Sequence, residues 1–455
     1  MARVGSTPPQ IQRMRAATQT PHNGVYRRRA QGFIGRLKST PIPILVWALW
    51  LVSFFIPGLA SAVGSQRWAI TGALGLIGLW QLVNGGWAWN GKVVHSCGLL
   101  VLLTAASSIY SQLPTYSMFR SAAFGAMIVF SVTTTSVAIR DPQKLIAVCA
   151  TIFVALLVVA TGIAFTGAVS GATLSTEGGV RFVAGNLKAT GAASIIASTS
   201  PFILWGIRHL HPKWRSLLFG LLCYLLFLLL ATRGRGGIGT ALVVLPFYVG
   251  VLRGKRLAGG VLVCLISVAV FGMALNYSPA LRQLLRLDAE DITTGRVDRW
   301  ETLYDKAMDK PLLGYGFGTS RYHHLESIDF DWTFRNNRYE QKIAHNEHLA
   351  VFYELGAMGL IAYWSILFLG LLSGYRLSQM PPSSIRDLLL AVFFSWTCSV
   401  INTVSHDMNL TAGSPNAYMF WIQLALVTGG GRWMMVQARR GGRRTLKESA
   451  LGTTH

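Results

Sequence analysis

His345 combines two features that acid–base chemistry needs. It opens an apolar run, from Ala344-His345-Asn346-Glu347-His348 to Leu360, that reads as the start of a long helix. The positive end of a helix disfavours imidazolium, so a ring placed there is expected to be neutral and able to accept a proton near neutral pH. That suits removal of a proton from an attacking hydroxyl. The competing reading is a capping or surface histidine. Asn346 and Glu347 beside it are residue types that helix starts favour for capping and dipole reasons alone.

Arginines supply the second kind of chemistry. Arg181 and Lys188 lie in GGVRFVAGNLKATG, Arg233 and Arg235 in ATRGRGGIG, and Arg296 and Arg299 in TGRVDRWE. Arginine is always charged and presents a planar fork that matches phosphate oxygens. Gly234, Gly236 and Gly237 would let backbone approach a ligand, near a helix start that favours an anion. Each cation can also be read as a snorkelling side chain at a helix end. If several of these arginines converge, a lipid-linked phosphate or diphosphate fits them.

Metal chemistry has less support. His345 and His348 share a helical face with Glu347 between them, and His323-His324 lie upstream, but the HExxH order is absent and no third ligand is suitably spaced. No metal site is expected. The segment 402–407 supplies Asn402, His406 and Asp407; Asp407 either orients a catalytic group or caps the next helix. The five cysteines, Cys97, Cys149, Cys223, Cys264 and Cys398, sit in apolar stretches without CxxC spacing and read as buried hydrophobes. No Walker or Rossmann pattern is present, and no cofactor is expected.

The rest of the chain is there to hold these residues in a membrane. Of 455 residues 52% are hydrophobic and 13% charged, against about 25% charged in soluble domains. An all-α polytopic membrane protein is expected. Twelve apolar runs near the bilayer-spanning length of about 20 residues fall at roughly 43–63, 67–87, 94–112, 118–138, 144–167, 190–207, 215–232, 236–252, 257–276, 346–374, 385–404 and 415–435. The second and third are the weakest, being glycine-rich and interrupted by polar residues. The net charge of +23 reads as topology and not as nucleic-acid binding, because cytoplasmic loops collect Lys and Arg.

Charge also orients the chain. Residues 1–42 carry eight Lys/Arg and no acid, and read as a disordered cytoplasmic arm. Arg27-Arg28-Arg29 faintly suggests a twin-arginine signal, but no cleavage site follows the first apolar run, which reads as a span. The residues from 437 to 455 form a second basic cytoplasmic tail. The loop from 277 to 344 then faces outward, and it holds 11 of the 18 acids. An amphipathic helix is predicted in it, with Val297, Trp300, Tyr304 and Ala307 at helical spacing and Pro311 as the stop. A glycine-rich turn follows at Gly314, Gly316 and Gly318. The expected organisation is an arm at 1–42, nine spans over 43–276, the loop at 277–344, three spans over 345–436, and the tail.

Together these elements resemble the O-antigen ligase / Wzy-type polymerase superfamily of bacterial envelope glycosyltransferases. The resemblance rests on His345-Asn346, Leu349 and Gly356-Ala357-Met358-Gly359-Leu360 within one helix. It rests also on Gly295-Arg296, Trp300, Pro311, Gly314 and Gly316 in the loop, and on Thr232-Arg233-Gly234, with Thr where the family has Ser. Arg181 with Gly185 and Asn186 matches a further element loosely. The resemblance implies a GT-C-like helical membrane bundle in the bacterial inner membrane, with its active site facing the periplasm. It implies metal-independent, inverting transfer of a glycan from undecaprenyl diphosphate, the arginines holding the diphosphate and His345 taking the acceptor's proton. The resemblance admits three acceptors, lipid A–core, another lipid-linked repeat and a protein; the Thr-Gly-Arg…Trp and Ala-His-Asn elements lean toward an exopolysaccharide polymerase. A lipid-linked glycan transporter or flippase is the alternative, and a non-enzymatic assembly scaffold a third. A transporter would show internal repeats and mid-membrane charges, which this sequence does not clearly carry.

Overall fold

The computed structural model describes residues 40–55, 59, 66–86, 91–170, 189–252, 257–285, 296–322, 345–404, 409–411 and 413–451. Among them there is helix and no strand. The helices are α1 (Ile42–Phe55), α2 (Arg67–Gln81, continued by a wider π turn over Leu82–Gly86), α3 (Lys92–Tyr110), α4 (Pro114–Ile139), α5 (Pro142–Ser170), α6 (Ala189–His209) and α7 (Pro212–Ala231). Then come α8 (Arg235–Leu252), α9 (Leu257–Tyr277), α10 (Pro279–Leu284), α11 (Arg296–Asp309), α12 (Glu347–Ser378), α13 (Ser384–Asn402) and α14 (Pro415–Leu451). Proline opens α4, α5, α7, α10 and α14, where its missing N–H costs nothing and its fixed φ suits the first turn. Ser383 caps α13 by accepting from the Arg386 amide at 3.1 Å.

Nine helices among the described residues are long and apolar enough to cross a membrane. They are α3 to α9, α12 and α13, so the chain is a multi-pass, all-α membrane protein. Two further expected spans coincide with shorter helices, the apolar α1 with 14 residues and the glycine-rich α2 with 15. The last coincides with the start of α14, which runs on as helix to Leu451.

In lipid the hydrophobic effect does not drive helices together, so close packing must do so. The glycines that weaken α2 as a hydrophobic signal serve this purpose. A Cβ on Gly75 would lie 2.5 Å from the Ala126 Cβ of α4, and one on Gly78 would lie 2.8 Å from the Phe130 backbone. Elsewhere large rings fill the interior: Trp47, Phe124, Phe130, Trp396, Tyr418 and Phe420 are all buried. By contrast α9 is only 6% buried over its span, and it turns Leu262, Leu265, Ile266 and Met273 outward, as a lipid-facing helix should.

One end of the bundle is tied by charge. Asp387, at the start of α13, accepts from Arg386 at 3.0 Å and pairs with His209, at the end of α6, also at 3.0 Å. Arg208 lies 4.0 Å from the same carboxylate. At the other end the described segment 296–322, which contains α11, packs on α12.

Candidate functional site

The glycine-rich turn of the loop plugs into a break in α12. Gly356 has φ +63° and ψ −164°, which interrupts that helix. An unbroken helix would bond the Ala357 amide to the Tyr353 carbonyl and the Met358 amide to the Glu354 carbonyl. Instead Ala357 N–H donates to the Pro311 carbonyl at 2.8 Å, and Met358 N–H to the Leu312 carbonyl at 3.5 Å. The freed carbonyls of Tyr353 and Glu354 accept from the amides of Tyr315 at 2.9 Å and Gly316 at 2.8 Å. Four backbone groups that the break orphans are thus paired by the turn, as buried polar groups must be. A Cβ on Gly314 would lie 2.5 Å from the Glu354 carbonyl carbon, and one on Gly356 would overlap Leu312. The two glycine motifs of the sequence are the two halves of one joint.

Side chains strengthen the joint. Glu354, buried, accepts from both the amide and the hydroxyl of Ser320. Tyr315 stacks on Tyr353 with centroids 4.8 Å apart. Beneath the turn lies Arg120 of α4, 6% exposed, with its Nε unpartnered among the described residues. A Cβ on Gly318 would be 3.2 Å from the Arg120 Cγ. Neither Glu354 nor Arg120 was singled out from the sequence, because each falls at an ordinary position in an apolar run. Their significance is set by a turn about 35 residues before Glu354 and about 200 after Arg120.

This joint lays α11 parallel to the first turns of α12. Leu303 and Ala307 pack on Ala350 and Tyr353, and Tyr304 meets Phe352 at 6.4 Å between centroids. The expected apolar stripe therefore divides. Ala307 is buried, together with Leu303 from outside the stripe, whereas Val297 and Tyr304 stay about half exposed, 46% and 49%. With Trp300, Asn346, Leu349 and Trp364 they line an open groove of about 840 Å³. Because the helices run in the same direction, their positive ends lie together at the Arg296 and His345 end of this groove.

His345 precedes the helix instead of opening it. Asn346 is the N-cap, its side chain accepting from the Leu349 amide at 3.1 Å, and α12 begins at Glu347. His345 itself has φ +54°. Among the described residues, Arg233 (φ +52°) and His345 are the two non-glycine residues in this left-handed region. Such backbone costs roughly 1–3 kcal/mol and collects at functional sites. Both are also candidates by residue chemistry alone.

Arg233 sits in the turn between α7 and α8. Thr232 builds that turn, its hydroxyl donating to the Leu229 carbonyl at 2.6 Å and accepting from the Gly234 amide at 3.1 Å. Arg233 is 5% exposed, and its Nη2 has no partner among the described residues. Gly234 and Gly237 do not open toward a ligand. Added Cβ atoms there would meet Ala193 of α6 at 2.9 and 2.6 Å, so these glycines seat the turn against a neighbouring helix. Arg235 begins α8 and reaches the field of Arg296, which begins α11. Burial, then Arg235, then Arg299 hold the Arg296 guanidinium below the usual arginine range. Two of the expected anion ligands are therefore neighbours, despite their mutual repulsion. Arg181, Lys188, Gly185, Asn186, Gly295, His323, His324, His406 and Asp407 lie outside the described residues, as do the arm at 1–39 and loop positions 286–295 and 323–344.

His348 is engaged structurally. Its Nδ1 accepts from Trp364 Nε1 at 3.1 Å, which leaves the proton on Nε2, 2.9 Å from the Thr403 hydroxyl. Both ring nitrogens are used, so it is not poised to join His345 on a metal. Among the described residues no group of three or more His, Cys, Asp or Glu is arranged for a metal ion. Glu347, 1% exposed, accepts from the amides of Asn409 at 3.3 Å and Leu410 at 2.9 Å, and its own amide donates to the Thr403 carbonyl at 2.9 Å. It fixes the start of α12 against the end of α13. The sequence marks Glu347 only as a helix-start acid, since the backbone amides it accepts from leave no trace in residue type.

Fold and site together define a polytopic helical membrane protein in which a loop is joined into a break in α12 and the cationic starts of α8 and α11 lie close together. Residues 219–364 match the family described as O-Antigen ligase, which supports the O-antigen ligase / Wzy-type resemblance. The matched stretch runs from within α7 into α12 and contains Arg233, Arg235, Arg296 and His345. It supports an O-antigen ligase-like function in surface polysaccharide biosynthesis, with glycosyltransferase-like activity. No curated protein matches the chain.

Proposed function

We propose that this protein transfers a glycan from undecaprenyl diphosphate to an acceptor hydroxyl, at the periplasmic face of the bacterial inner membrane. Arg235 and Arg296, with Arg233 in the same turn as Arg235, hold the diphosphate. The proximity of Arg235 and Arg296, the first residues of α8 and α11, supports this reading, because two guanidinium forks from separate elements can grip one diphosphate. The groove beside them, walled by Trp300, Tyr304, Phe352 and Trp364, offers aromatic faces to sugar rings and apolar surface to a prenyl chain. Arg181 and Asp407 are assigned to the same site, as a further diphosphate ligand and as an orienting carboxylate.

In the transfer, His345 accepts the proton of the acceptor hydroxyl as its oxygen attacks the anomeric carbon. The bond from that carbon to the diphosphate oxygen breaks on the opposite face, which inverts the centre. The electron pair leaves with undecaprenyl diphosphate, whose growing charge the arginines stabilise. The activated leaving group supplies the driving force, so neither nucleotide nor metal enters the step. Both chain termini are assigned to the cytoplasm by the distribution of Lys and Arg.

Complementation of a deletion strain with wild type, His345→Ala and Arg296→Ala, each checked for membrane abundance, tests the assignment. Abundant variants that stall with single lipid-linked repeats support transfer by a polymerase. Accumulated long lipid-linked chains indicate a ligase. Normal polysaccharide from both variants removes the catalytic role and favours transport.

A further inference from the structure

We infer that the end of the bundle opposite the candidate site holds a binding pocket for the headgroup of an anionic phospholipid. The first turn of α3, the last turns of α12 and the middle of α14 line a half-open cavity of about 440 Å³. Each helix contributes one cation to it: Lys92, Arg376 and Arg432. No carboxylate is among the residues that line it.

Its position follows from helix direction. Arg376 is 29 residues beyond Glu347 on α12, or roughly 40 Å of helix. At the far end of α3 the Tyr110 hydroxyl donates to the Leu313 carbonyl of the capping loop at 2.7 Å, so Lys92 lies away from the loop. The pocket is therefore independent of the diphosphate site.

Helix termini explain only part of this charge. Arg376 is suited to the negative end of α12. Lys92 stands at the positive end of α3, where a cation is disfavoured, and no side chain caps that end. A bound anion would satisfy both the lysine and the helix start. The hydroxyls of Ser373 and Thr428 in the wall donate to their own helix carbonyls, Leu369 at 2.7 Å and Leu424 at 2.8 Å, which leaves the cations as the side-chain donors to a ligand. The remaining wall, including Val93, Leu372 and Met435, is apolar. A phosphodiester bearing acyl chains meets both kinds of surface, and a soluble anion meets only one. The volume admits more than a single phosphate, so a lipid with two phosphodiesters, such as cardiolipin, should be held more firmly than phosphatidylglycerol.

The test is lipid retention by full-length protein in phosphatidylcholine nanodiscs, read by native mass spectrometry and by melting temperature. Cardiolipin should remain bound and raise the melting temperature; added phosphatidylcholine should do neither. The double variant Arg376→Gln/Arg432→Gln, and separately Lys92→Gln, should lower cardiolipin binding at least tenfold. A control that removes two other exposed cations at the same end, outside the cavity, Lys213→Gln/Arg215→Gln, should leave it unchanged. Equal retention of cardiolipin and phosphatidylcholine, equal loss in the control, or wild-type binding by both test variants would overturn the proposal. Displacement of cardiolipin by millimolar inorganic phosphate would assign the pocket to a soluble anion and overturn the lipid reading. None of these readouts depends on glycosyl transfer.

Discussion

Gly316 donates its amide to the carbonyl of Glu354 at 2.8 Å, in the gap that Gly356 opens in α12. Capping loop and membrane helix thus share backbone bonds that an unbroken helix would keep to itself. The loop is built into α12, and the placement of α11, the groove and Arg296 depends on that joint.

Gly356→Ala should uncouple the loop. A Cβ there would overlap Leu312, and the left-handed φ adds about 1–3 kcal/mol of strain for any other residue. Membrane insertion should persist, because the apolar length of α12 is unchanged, while transfer falls at least tenfold. Limited proteolysis of membrane vesicles should show faster cleavage in the loop than in wild type. Wild-type activity and cleavage together would mean that the joint is dispensable.

Arg235→Gln should separate stability from function. Arg235 depresses the Arg296 pKa, so its removal relieves a repulsion. Turnover of lipid-linked donor should drop about 10²-fold, in the range that loss of one charge-stabilising contact costs, while the melting temperature holds or rises. A lower melting temperature with unchanged turnover would make Arg235 a structural cation.

His345 and His348 should behave differently. His348→Ala leaves Trp364 Nε1 without its acceptor but removes no base, and should change turnover less than tenfold. His345→Ala should cost about 10²–10⁴-fold, the usual worth of a general base. Because both His348 nitrogens are occupied, a chelator should leave wild-type turnover unaltered. Equal losses in the two variants, or inhibition reversed by added metal, would bring back a two-histidine metal site.

Asp387→Ala should destabilise the bundle without touching the chemistry. It strands Arg386, which is 3% exposed, and such loss of one partner from a buried pair costs about 3–5 kcal/mol. Detergent-solubilised protein should melt several degrees lower, with the donor KM unchanged in the fraction that remains folded. Loss of donor binding at unchanged stability would contradict this purely structural role.

Much of this was readable in order along the chain. Apolar length gave the helices, because a bilayer imposes a minimum span on any sequence that crosses it. Charge type singled out Arg233, Arg235, Arg296 and His345 as candidates, because few residues hold phosphate or accept a proton near neutral pH. What the sequence could not carry is pairing at a distance. Pro311–Gly316 and Tyr353–Met358 read as two unrelated glycine motifs until the turn enters the break in α12. Gly234 and Gly237 suggest a ligand until Ala193 fills the space beside them. Glu347 and Glu354 look like helix-surface acids until backbone amides and Ser320 close on them. Residue type fixes which interactions a group can make, and that is local information. Which partner satisfies it depends on how helices cross, and small residues and broken backbone bonds settle that only once the chain is packed.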